Sequence, residues 1–110
     1  MKTINLNGNL INIGFNLGVM LAAEEMFGEA VDQLVTDNSL SAVSRLAYCC
    51  VQVNNEGVPP FGEWLKEVRS AEDLQMLIGA VREEMEVFYR FNPKFAEKEK
   101  GTKGEGSKNA

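Results

Sequence analysis

The chain has no histidine. That removes the side chain most used as a general base near neutral pH, the commonest metal ligand, and every catalytic triad built on it. Cysteine is scarce: only Cys49 and Cys50 occur, and they are adjacent. Neighbours on a helix point about 100° apart, which suits neither a bridge between them nor the C-x-x-C spacing of redox and zinc sites. The pair reads as two small apolar core residues, and a reducing compartment is expected. Long apolar runs are missing as well. No stretch approaches the roughly 18 residues that a membrane-spanning helix needs. Asn5, Asn7, Gly8 and Asn9 interrupt any signal-peptide core, so a cytoplasmic protein without a membrane span is expected. No G-x-x-x-x-G-K-[ST] pattern is present, and Asn7-Gly8 and Gly14 read as turn and bulge residues instead of a phosphate loop.

Positive charge is thin over most of the chain. Residues 1–91 carry six Lys or Arg against thirteen Asp or Glu, a net of −7, and residues 92–110 carry five Lys against three Glu, a net of +2. An acidic body repels phosphate backbones, and no basic patch is interleaved with aromatic platforms, so nucleic-acid binding is not expected. The carboxylates Glu24, Glu25, Glu83, Glu84 and Glu86 lie opposite the apolar stripes of their helices. That placement describes a solvated face, not a metal site. No catalytic, cofactor or metal residues emerge, and the chain is read as non-enzymatic.

What is present fits one domain of 110 residues, long enough for a single modest core. Ile4 and Leu6 alternate with polar residues before Asn7-Gly8, and Ile11, Ile13 and Phe15 alternate after it. Asn-Gly between alternating runs is a strong hairpin signal, because both residues tolerate positive φ. Asn16 then caps a helix to about Phe27 with Leu17, Met20, Leu21, Ala22 and Ala23 as its stripe, and Gly28 stops it. Residues 29–38 fit a short helix or a turn. Ser39 opens a helix to about Val53, with Leu40, Val43, Ala47 and Cys50 on one face and Leu46, Val51 and Val53 widening it. This helix is expected to be the most buried.

Asn54-Asn55-Glu56-Gly57 ends that helix, and Pro59-Pro60 enforces an extended connector. Phe61, Trp64, Leu65 and Val68 then mark a short helix. Ser70 to Asp73 resembles a capping box, and Leu74, Leu77, Ile78, Val81, Met85 and Phe88 run in step along a last helix over about 71–91, closed by Pro93. The expected fold is mainly α with an N-terminal β-hairpin, an α+β domain of about four helices over residues 1–95. Residues 96–110 form a Lys/Gly-rich tail whose composition predicts flexibility. Aromatics exceed what the stripes require. Trp64, Tyr89, Phe91 and Phe95 are the candidate partner-binding residues, against the simpler view that they pack near Trp64 as a satellite core. Clustered aromatics and an open two-stranded edge also lead us to expect a homo-oligomer, through helix packing or strand addition.

Taken in order, INLNGNLINIGFNLGVMLAAEEMFG, LSAVSRLAYCCVQVNNE, PPFGEWLKEV, the amphipathic last helix and the Lys/Gly-rich end resemble the tail assembly chaperones of long-tailed phages and prophages. The likeness spans about residues 3–100 and lies in patterns of residue type. Gly18 departs from the pattern. The resemblance implies a protein of the bacterial host cytoplasm that coats the tape-measure protein until tail-tube protein polymerises around it. It also implies, for many members, a longer frameshifted product. The competing readings are a small acidic, antitoxin-like regulatory adaptor and a structural virion subunit.

Overall fold

The structure is a computed structural model, and it describes residues 1–95. The tail assigned to residues 96–110 lies outside the described residues. The chain begins with the expected hairpin: β1 (Lys2–Leu6) pairs antiparallel with β2 (Asn9–Ile13), Leu6 facing Asn9 and Lys2 facing Ile13. Asn7 and Gly8 take φ of 54° and 89°, the left-handed conformations that a two-residue turn demands. The Asn5 side-chain amide oxygen, Oδ1, accepts from Gly8 N at 2.8 Å and holds the turn. Ile4, Leu6 and Ile13 are buried beneath the sheet, while Thr3, Asn5 and Leu10 face out.

Four longer segments and one short one follow: α1 (Leu17–Phe27), α2 (Val31–Asp37), α3 (Leu40–Gln52), α4 (Phe61–Trp64) and α5 (Ala71–Phe91). A 3-10 turn, Leu65–Glu67, extends α4. The domain is thus mainly helical with a two-stranded hairpin, as expected, and of the two alternatives for residues 29–38 the short helix is the one formed. In α2 the Gln33 carboxamide accepts from Ala30 N at 3.0 Å, and Asn38 closes the helix at φ 52°.

The caps are those the sequence names. Asn16 Oδ1 accepts from Val19 N at 3.1 Å, and Ser39 Oγ accepts from Ala42 N at 3.1 Å. Ser70 Oγ accepts from Asp73 N at 3.1 Å. The return bond of this box shifts by one residue: Asp73 Oδ2 accepts from Arg69 N, not Ser70 N, at 3.2 Å. Gly18 also finds its reason. A Cβ there would stand 3.0 Å from the capping Asn16 Oδ1 and 3.3 Å from Val53 Cγ1, so a side chain would crowd both the cap and the end of α3. Gly14, read as a bulge residue, instead gives way to the Asn54 side chain, whose amide nitrogen would lie 3.1 Å from an added Cβ.

Two stripes match expectation only in part. In α1 Ala23 is buried as read, but Val19 joins it while Leu17 and Leu21 are exposed. In α3, the most buried helix as expected, Leu46, Ala47, Cys50 and Val51 are buried as read, but Leu40 is 68% exposed, and Ala42, Ser44, Tyr48 and Cys49 are buried as well. α3 packs against α1, α2, α4, α5 and β2, so its last two turns are enclosed on all sides. Burial on every side hides the one-face periodicity from which the register was inferred.

Residues 54 and 55 do more than stop α3. Asn55 Oδ1 accepts from Asn12 N at 3.0 Å, and its Nδ2 donates to the carbonyls of Asn12 and Val51 at 2.7 Å each. Asn54 Nδ2 donates to the carbonyls of Gly14 at 3.0 Å and Cys50 at 2.7 Å. Asn12 sits opposite Thr3 in a pair whose backbone groups point away from the partner strand, so Asn55 meets the peptide groups left over at the edge of β2. At the other end of the hairpin, Asn7 Nδ2 donates to the Glu67 carbonyl. The acidic face of α5 is not wholly solvated as expected: Glu84 is half-buried and lies 3.2 Å from the N-terminal ammonium, and Glu83 pairs with Lys2.

Cys49 and Cys50 are free thiols, fully buried. Burial pushes Cys49 up to about 12 and Cys50 upward as well. The unfolded chain ionises its thiols near 9, whereas the folded chain keeps them protonated, so the unfolded state binds fewer protons above that pH. Stability that is complete below pH 9 is lost as the pH rises towards 12. Cys49→Ala with Cys50→Ala should flatten that alkaline loss in denaturation measurements, at a cost of about 1–3 kcal/mol at neutral pH. Asn55→Ala should cost a similar amount, about 1–3 kcal/mol, by stranding the peptide groups of Asn12. Urea midpoints at pH 7 check both costs, and midpoints followed upward from pH 9 check the alkaline change.

Candidate protein-binding surface

No group of three or more His, Cys, Asp or Glu that could hold a metal ion occurs among the described residues. The notable surface features are two apolar grooves flanking the junction of α3 and α5. The first is an open groove of about 740 Å³ between α2, α3 and α5. Val35 and Val43, with Leu34, Leu46, Ile78 and Met85, supply much of its apolar lining. Arg82, Glu86 and Arg90 line it from α5. The second, of about 750 Å³, lies between α3, α4 and the first half of α5, against Leu40, Phe61, Leu65, Val68 and Leu74. Ala47 lines both, so the grooves open on either side of the place where this small residue lets α3 and α5 come together.

α2 is seven residues long, closed by Asn38 in the left-handed region, and it gives Leu34 and Val35 to the first groove. The 21-residue α5 lines the same groove from Ile78 to Arg90. Ile78 and Met85, expected to be core, are only half-buried there.

The four candidate residues do not converge. Trp64 is a correction: at 3% exposed it belongs to the core, its ring 5.3 Å from that of Tyr48. It completes a chain of edge-on aromatic contacts with Phe27, Tyr48 and Phe61, whose centroids lie 5.1–6.3 Å apart. Tyr48 Oη donates to the Pro59 carbonyl at 2.7 Å, fixing this cluster to the connector. Tyr89 lines the first groove and packs 5.8 Å from Phe15 and 5.5 Å from Phe88. Phe95 rests on Phe88 at 5.7 Å. Phe91 alone is open, at 76% exposure, and it lines neither groove.

The satellite core therefore exists, but in two parts, one around Trp64 and one around Phe88. Sequence reasoning missed the groove residues Leu34, Val35 and Val43 and the arginines of α5. The available signal was the i, i+4, i+8 row of Arg82, Glu86 and Arg90 beside the stripe residues Ile78 and Met85.

Set against protein-family models, curated proteins and solved structures, the chain matches none. No helix among the described residues is long and apolar enough to cross a membrane.

The division of the aromatics can be measured. Trp64→Ala should cost about 3–5 kcal/mol, the range for a large buried aromatic. Phe91→Ser should change stability by no more than about 0.5 kcal/mol. Thermal unfolding of the two variants checks the assignment.

Proposed function

We propose that this protein is a non-enzymatic, helix-binding assembly chaperone of the kind found in long-tailed phages and prophages, whose client is the tape-measure protein. The observation that carries the helix-binding part is the groove between α2, α3 and α5, an apolar trough bordered by charge. Amphipathic helices dock into such troughs through residues at i, i+3, i+4 and i+7. Resemblance of the sequence to tail assembly chaperones supports the choice of client, since a tape-measure protein is a long helix with apolar stripes that need cover before assembly. Tail-tube protein is a second partner on this reading. The exposed Leu17 and Leu21 of α1 support self-association of the loaded chaperone. A net charge of −5 favours keeping such complexes dispersed.

Trp64 lies in the core and is no anchor, whereas Tyr89 borders the groove. The test is co-expression with the tape-measure protein of the same genome. Wild-type protein should keep that client in the supernatant. Val35→Glu with Val43→Glu places two carboxylates in the groove at half-exposed positions, so helical circular dichroism should persist while the client precipitates. Loss of each apolar anchor should weaken binding by about 2 kcal/mol. A client that stays soluble with the double variant would exclude this groove, and one that wild-type protein never protects would exclude the chaperone role.

A further inference from the structure

Arg82, Glu86 and Arg90 all line the first groove from α5. Their spacing of four residues places them in one row along the helix, about 6 Å apart and about 12 Å from end to end. All three are exposed, and none makes an ion pair among the described residues, where the pairs formed are Met1–Glu84, Lys2–Glu83 and Arg45–Glu29. The row is thus a positive–negative–positive strip beside an apolar trough, in a body that is otherwise strongly acidic. Two of the six basic residues in positions 1–91 stand on it.

We propose that the occupant of this groove is a helix from a different protein that carries an acidic–basic–acidic row, Asp/Glu-x3-Lys/Arg-x3-Asp/Glu, along the flank of its apolar face. The inference rests on the helix-binding reading above and specifies its partner. A helix lying along α5 presents its own i, i+4, i+8 row at the same 6 Å pitch, about one turn per charge, so three opposite charges meet in register. The side of α5 from Ile78 to Arg90 runs about 18 Å, room for a little over three turns of such a helix.

Two nearer occupants fit poorly. Residues 96–110 contain no apolar side chain larger than alanine, Ala96 and Ala110, and cannot fill an apolar trough. A second copy also lacks the flank, because the acidic-x3-basic-x3-acidic pattern occurs nowhere in this chain. The charges therefore select as well as attract: a helix with a wholly acidic flank meets Glu86, and a wholly basic one meets two arginines.

The experiment uses the full-length chain and two synthetic 18-residue amphipathic peptides with the same leucine face. One has a Glu-x3-Lys-x3-Glu flank and the other Lys-x3-Glu-x3-Lys. Fluorescence anisotropy at low salt should show the first binding about tenfold more tightly, with the gap closing near 1 M salt, where screening acts within about 3 Å. Arg82→Glu, Glu86→Lys and Arg90→Glu together alter only exposed positions and should invert the preference. Equal binding of both peptides, abolished by Val35→Glu with Val43→Glu, would overturn the charge register while leaving the groove as a helix site. A preference that survives the triple variant would overturn it too. Failure of both peptides to bind would remove the register together with the helix-binding reading.

Discussion

Six consecutive residues of α3, Leu46 to Val51, are buried, and a helix enclosed in this way needs a neighbour on every side. Much of the architecture supplies those neighbours. α1 and α2 cover one side, α5 crosses another, α4 brings Trp64 against Tyr48, and β2 is tied on by Asn55, with Asn54 holding Gly14 just after it. Small side chains make the enclosure feasible: Ala42, Ala47, Cys49 and Cys50 let backbones approach closely. At the same time α3 is only 13 residues long against 21 for α5, and both grooves are lined by residues of these two helices.

Local signals in the sequence carried much of this fold. The Asn7-Gly8 turn, the caps Asn16, Ser39 and Ser70, the stop at Gly28 and the stripe from Leu74 to Phe88 all act within a few residues, where short-range sterics and hydrogen bonds decide the outcome. Registers that depend on distant partners were less legible. Leu17 and Leu21 satisfy helical spacing as well as Val19 and Ala23 do, and only packing against α3 chooses between them. The joint from Asn54 and Asn55 to β2 spans some 40 positions in the chain, and nothing near those asparagines announces it.

The candidate surface was harder still to see. Aromatic excess at the end of α5 suggested a binding patch, yet most of those rings pack on Phe15 and Phe88, and Trp64 serves the core. An aromatic looks the same in a sequence whether it fills a core or caps an interface. The groove is instead lined by aliphatic residues that any core would contain. Charges on α5 were counted as ordinary surface because their significance depends on the trough beside them.

The joint at Asn55 has a consequence for assembly. A two-stranded sheet normally offers its outer edge to any passing extended chain, but here one carboxamide meets the outward N–H and C=O of Asn12, as a third strand would. That position on the β2 edge is therefore already occupied by the protein's own side chain, and strand addition there would have to displace it. One side chain thus serves both as a tie between α3 and the hairpin and as a cover for one position of that edge.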